Sequence, residues 1–253
     1  MKMYTLYLDY LRTGICLAML VYASYRDLKT REIHDLVWII FAAIGLTMDG
    51  YEIIMGTLAI QQLAIAVGFM IVIGALLSFL KLFGGADILA FITLVAIQPK
   101  SPVFLTLNWG WHPIFYPLTI ITNTAFAGLV APLIILSFNI KSILGGVNVF
   151  QGHKISLARR LGLLFTALNT SLKEVRGPPF QYPLVNPTSG EVALRPNIWD
   201  DTEAEKVFTE LKHRGVDRTW VSWTLPYVVV MTIGYAITVV FGDLLLWAFI
   251  LLS

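Results

Sequence analysis

The chain has 253 residues, 57% of them hydrophobic and 13% charged, with a formal net charge of +2 and a mean hydropathy of +0.74. A soluble domain carries roughly 25% charged residues, so this composition excludes an ordinary soluble globular protein and points to the membrane. The lone cysteine, Cys16, excludes an internal disulfide and a cysteine-based metal site.

Four apolar runs are long enough to cross a bilayer, which takes about 20 residues. They fall at about 8–25, 58–80, 114–140 and 225–252. Two shorter runs, about 36–48 and about 87–98, bring the expected number of spans to about six. The N-terminus has the basic start of a secretory signal. However, its apolar run is long, ends in bulky residues and lacks an Ala-x-Ala site, so it reads as a retained first helix. Cys16 lies in that helix as a small buried hydrophobe.

Basic residues alternate between the loops. Fifteen Lys and Arg fall on one side: Arg26, Lys29, Arg31, Lys81 and eleven from Lys141 to Arg218. Lys2, Lys100 and Arg12 are the three on the other. The side rich in positive charge is the cytoplasmic one. The expected fold is an α-helical polytopic membrane protein with a small α+β cytoplasmic domain inserted before the last helix. Residues 1–140 carry helices one to five, 141–224 form the cytoplasmic domain, and 225–253 form the sixth helix.

Within the polar region, Gly145-Gly146, Pro178-Pro179 and Pro183 act as breaks. His153 to Val175 fits an amphipathic helix with Leu157, Leu161, Leu164 and Leu168 on one stripe. Either that stripe packs on the domain's own core, or it meets the membrane with Lys154, Arg159 and Arg160 at anionic headgroups. Residues 182–194 read as strand, turn, strand, with Ser189-Gly190 at the turn. Thr202 to Glu205 reads as a capping box opening a helix through Arg214, stopped by Gly215. Trp220 and Trp223, just before the last span, are expected at the membrane interface.

Two aspartates carry the functional argument. Asp27 sits at the inner end of the first run, and Asp87 opens the run after Phe83-Gly84-Gly85-Ala86. A carboxylate at a membrane boundary is costly and marks a functional site by default. Two on one side suggest a pair in which one holds a proton and the other acts as base. Read alone, Asp27 also serves to balance Arg26 and Lys29. Glycines before Asp87 let another backbone approach. Asp35 competes with Asp27 but is assigned to helix capping. Asp9, Asp49 and Glu52 are expected to be solvated on the outer side. Asp243 is a structural hydrogen-bonding or snorkelling group.

Other chemistries find little support. His34, His112, His153 and His213 are scattered without metal-ligand spacing, and no HExxH occurs. No Ser–His pair falls at membrane depth, and there is no Walker A or dinucleotide fingerprint. The rivals are a transporter using Asp27 and Asp87 as a proton or cation relay, against which no internal repeat is visible, and a non-catalytic membrane scaffold.

Asp27-Leu-Lys-Thr-Arg-Glu-Ile-His-Asp35 resembles the first-aspartate motif of the prepilin peptidases, and Gly84-Gly85-Ala86-Asp87 resembles their GxGD signature. With the topology, the chain is most similar to archaeal preflagellin/prepilin peptidases, the class III signal peptidases. The resemblance implies an aspartic endopeptidase with Asp27 and Asp87 as catalytic residues, supported by Gly84, Gly85 and Ala86. It implies prepilin- or preflagellin-like substrates with a short basic leader, cut at the cytoplasmic membrane face, and neither metal, cofactor nor nucleic acid. A closing motion that brings the two carboxylates together fits the same resemblance. Ala86 departs from the signature's second glycine, where a positive φ would be disfavoured. His34 replaces a common proline. The cysteine-rich insertion of bacterial members is missing, so cleavage without N-methylation is expected.

Overall fold

The computed structural model describes residues 2–80, 83–109, 113–150, 155–198 and 200–252. Lys81, His112, His153 and Lys154, each given a place by the sequence, lie outside them. The chain divides into two compact units, one made of Met1–Gly128 and Pro226–Ser253 and the other of Leu129–Leu225.

The first unit is helical. It contains α1 (Lys2–Thr30), α2 (Asp35–Ile54), α3 (Ile60–Phe79), α4 (Gly85–Ile97), α5 (Val103–Trp109) and α6 (Tyr116–Gly128). The second unit contains α7 (Val130–Leu144), α8 (Leu157–Thr166), β1 (Leu168–Ser171), β2 (Gln181–Pro183), α9 (Asp201–His213) and β3 (Arg218–Trp223). The chain then returns to the first unit with α10 (Tyr227–Phe241) and α11 (Leu244–Leu252).

Among the described residues, four helical runs are long and apolar enough to cross a membrane: Met3–Thr30, Asp35–Ile54, Ile60–Phe79 and Tyr116–Leu144. A fifth is available if α10 and α11, bent by 51°, form one span. The run expected at 36–48 extends to a full 20-residue helix. The run expected at 87–98 is α4, whose 13 residues cover about 20 Å at 1.5 Å per residue. That falls short of the roughly 30 Å hydrocarbon layer, so α4 covers about two thirds of a span.

Helix α4 is sheathed by its neighbours. From Ala90 to Ile97 only Ile92 is not fully buried. Cys16, Met19 and Leu20 of α1, Ile120 of α6, and Met231 and Tyr235 of α10 share its core. Glycines permit the close approach, as is common between membrane helices. A methyl group on Gly45 would lie 2.6 Å from the Ala96 carbonyl oxygen, and one on Gly74 would lie 2.6 Å from Ile88 Cγ2.

The acids expected to be solvated are buried instead. Asp9, Asp49 and Glu52 are 1%, 0% and 0% exposed. Arg12, equally buried, reaches Asp49 Oδ1 at 2.7 Å and Glu52 Oε2 at 2.8 Å. Lys100 Nζ donates to Glu52 Oε1 and to the Thr57 carbonyl, each at 2.8 Å. Asp9 Oδ2 accepts from the Val103 amide at 2.7 Å and caps α5. These charges stay out of water because each finds a partner on another segment. Asp243 proves a hydrogen-bonding group. Its Oδ1 accepts from Leu245 and Leu246 amides at 3.0 and 3.1 Å, and Thr119 Oγ1 donates to Oδ2 at 2.7 Å.

In the second unit β3 lies between β1 and β2 in an antiparallel sheet. Leu163, Ala167, Phe208, Leu211, Trp220 and Val221 form its core. Three expectations change here. The helix proposed for 153–175 is only α8, because residues 168–171 pair with β3 instead. Asp200, not Thr202, caps α9, its Oδ1 accepting from the Glu203 amide at 2.8 Å. Trp220 is not interfacial: it is fully buried, and its indole donates to the Val149 carbonyl at 3.1 Å. The expected turn stands, with Gly190 at φ 70° and Asn186 Oδ1 accepting from Thr188 and Ser189 amides.

Candidate active site

Asp27 lies in the last turns of α1. Its Oδ2 accepts from the Val228 amide at 3.3 Å, one of the first-turn N–H groups of α10 that lack an intrahelical partner. Ser24 fastens the same two helices, bonding the Val228 carbonyl at 3.2 Å and Thr232 Oγ1 at 2.7 Å. The other oxygen, Oδ1, faces Arg31 Nη1 at 3.5 Å, and both side chains are nearly closed off, at 13% and 11% exposure.

Asp87 lies in the first turn of α4. Its Oδ2 accepts from the Gly84 amide at 3.1 Å. The carboxylate thus satisfies an orphan donor at a helix N-terminus, where negative charge is also favoured by the dipole. Asp87 is within electrostatic reach of Asp27 and of Arg31, and Arg31 of both carboxylates. The structure therefore draws the two sequence-identified aspartates to one patch with a guanidinium beside them.

The glycines before Asp87 face open space. Gly84 and Gly85 are exposed, and a methyl on Gly85 would meet nothing within 4 Å. Neither they nor Ala86 has a positive φ. The feared dihedral penalty at Ala86 is therefore absent, and smallness rather than backbone geometry is what this stretch supplies. Ala86 is half-buried and packs against the core.

Asp35 is exposed at the first turn of α2. The capping assigned to it is done by His34, whose Nδ1 accepts from the Leu36 amide at 3.2 Å. An imidazole nitrogen does what an aspartate would do one position earlier. Among the described residues, no three His, Cys, Asp or Glu side chains converge as metal ligands.

Four contributors escaped the sequence reading. Arg31 could have been found from its i, i+4 spacing to Asp27. Tyr227, within reach of Asp87's charge, and Phe83, whose ring centroid is 4.4 Å from that of Tyr227, wall the site with Phe91. Nothing in their local sequence marks them.

Comparison with known proteins bears on these residues directly. The sequence profile of the type IV leader peptidase family matches residues 14–150, which include both aspartates. The profile of the archaeal peptidase A24 C-terminus, type II, matches residues 159–244. A preflagellin peptidase of Methanocaldococcus jannaschii is 25% identical over 242 residues, covering 91% of this chain and 94% of its own. Preflagellin peptidases of Methanococcus maripaludis and Methanococcus voltae are 24% and 27% identical, covering 90% and 92% of this chain and 93% and 96% of theirs. These matches leave the transporter reading without support, and the chain belongs to the type IV leader peptidase family of membrane proteases.

Proposed function

We propose that this protein removes the short basic leader from preflagellin- or prepilin-like precursors, with Asp27 and Asp87 as its catalytic pair. The observation that carries the reading is that these two carboxylates, from different helices, lie within electrostatic reach of one another, with Gly84 and Gly85 exposed beside Asp87. In this reaction one carboxyl keeps its proton while the other draws a proton from water, and the water oxygen attacks the scissile carbonyl. The protonated carboxyl donates to the developing oxyanion. Collapse then breaks the C–N bond as the amine takes up a proton. An extended substrate lies along the glycine backbone, where a methyl on Gly85 would meet nothing within 4 Å and one on Gly84 would meet only the Asp87 carboxylate, at 3.5 Å, among the described residues.

The asymmetric loop charge supports a site on the cytoplasmic face. The helices of 1–140 and 225–253 then carry the chemistry, and 141–224 forms a platform on that side.

The test uses purified full-length protein in proteoliposomes with a preflagellin. Asp27→Asn and Asp87→Asn should each abolish cleavage with thermal stability retained. Wild-type rates in either variant would overturn the assignment. EDTA and fluorophosphonates should leave cleavage intact; inhibition by chelator that zinc reverses would point to a metalloprotease instead.

A further inference from the structure

Helix α8 carries an apolar stripe that its own unit does not cover. Leu157, Leu161 and Phe165 recur every fourth residue and so share one face. They are 74%, 53% and 38% exposed. Contact with the unit's core falls to Leu163 and Leu164 instead. The stripe is therefore surplus to the folding of the unit.

The helix has a fixed depth. Asn139 of α7, 1% exposed, donates from its amide to the Leu164 and Ala167 carbonyls at 3.0 and 2.7 Å. Its Oδ1 accepts from the Asn169 amide at 3.2 Å. Asn139 lies five residues before the end of α7 at Leu144, about 8 Å along the axis at 1.5 Å per residue. Over that stretch Ile140, Ile143 and Leu144 are 43%, 41% and 82% exposed, and the one charged residue, Lys141, is exposed in the last turn, where a basic side chain reaches headgroups from the end of a span. Tyr116–Leu144 is also apolar enough to cross a bilayer. The end of α8 is thus pinned near the level at which an apolar span stops.

The charge of this stretch has one sign. From Val130 to Lys173 there is no Asp or Glu, and the charged residues are Lys141, Lys154, Arg159, Arg160 and Lys173. Lys154 lies outside the described residues; Arg159 and Arg160 are exposed. A second copy of the chain meeting this face would set cations against cations.

We propose that α8 lies in the headgroup layer of an anionic bilayer leaflet, with Leu157, Leu161 and Phe165 turned to the acyl boundary. Amphipathic helices with a basic polar side bind in this way, the apolar face sinking just below the headgroups. Basic side chains beside it meet lipid phosphates. The membrane alternative left open by the sequence is thereby given to Leu157, Leu161 and Phe165, and the core alternative to Leu163 and Leu164.

The experiment uses full-length protein in nanodiscs containing phosphatidylglycerol. Cys16→Ser removes the native thiol, and a nitroxide is attached to a single cysteine at Leu157→Cys or Leu161→Cys, with Glu205→Cys on α9 as a solvated reference. Labels at 157 and 161 should favour collision with oxygen over a water-soluble nickel chelate relative to the reference, as expected for side chains sunk below the headgroups. Reference-like access to the chelate would overturn the proposal, since the stripe would then be solvated. Exclusion from both reagents would also overturn it, since protein would then cover the stripe. Adding Arg159→Glu and Arg160→Glu should raise chelate access in the same nanodiscs, and an unchanged ratio would refute the anionic-lipid part.

Discussion

Arg31 is the one non-glycine residue with a positive φ among the described residues, at 59°. The left-handed conformation costs a non-glycine residue roughly 1–2 kcal/mol. Here the guanidinium it places sits beside Asp27 and within reach of Asp87. Arg31→Gly and Arg31→Ala both delete that charge, but only glycine relieves the backbone. The glycine variant should be more stable than the alanine variant by about 1 kcal/mol, read from unfolding of both in one detergent. Equal stabilities would mean that this conformation is free of strain. At Ala86 the expected outcomes are tolerance of glycine and a strong loss of cleavage with valine, whose branched side chain fills the approach. Rate and melting temperature measured on one Ala86→Val preparation separate lost access from lost packing. Asp35, exposed and relieved of capping by His34, should tolerate Asp35→Ala with cleavage at least partly kept. A dead Asp35→Ala beside an active Asp27→Ala would reverse the choice of first aspartate. Asp27 and Asp87 stood out in the sequence because a carboxylate bordering an apolar run is costly, and the structure brings them within electrostatic reach of one another. Asp49 and Glu52 were misread because Arg12 and Lys100, which neutralise them, come from distant segments.

At the level of elements, long apolar runs announced α1, α3 and the Tyr116–Leu144 run, since length and hydropathy suffice for a span. Helix α2 was undercounted because Asp49 and Glu52 seemed to end it, though both are buried within it. The strand at 168–171 was hidden because its partner, β3, lies some fifty residues on, and periodicity over one helix cannot show such pairing. The short helix α4 depends on close neighbours, which gives a direct test. Gly45→Ala pushes a methyl against the Ala96 backbone, 2.6 Å from its oxygen. Overpacking of this kind costs typically 1–3 kcal/mol. The melting temperature should fall, and cleavage should fall with it, because α4 carries Asp87. A variant as stable as the parent would mean that α2 and α4 are not held in this contact. Gly50, with nothing within 4 Å of an added methyl, provides the control, and Gly50→Ala should be neutral or mildly stabilising.

Across the helical unit, one buried charge network joins α1, α2 and the segment that follows α4. Arg12→Met would strand Asp49 and Glu52 with fewer partners, and breaking a buried ion pair from one side costs about 3–5 kcal/mol. Arg12→Met combined with Asp49→Leu should recover part of that loss, measured by thermal unfolding. No recovery would show that the pair is not a unit. The tie between Asp27 and the Val228 amide has a consequence of another kind. Val228 leaves the ribosome 201 residues after Asp27. Every nascent chain still short of the tenth helix lacks the donor that holds its first aspartate. The hydrogen bond to Asp27 is therefore complete only once α10 has been made and inserted. A prematurely terminated product ending anywhere in the second unit would carry both carboxylates yet lack that support. Truncation before α10 thus removes a support of the first carboxylate while leaving both carboxylates in the chain.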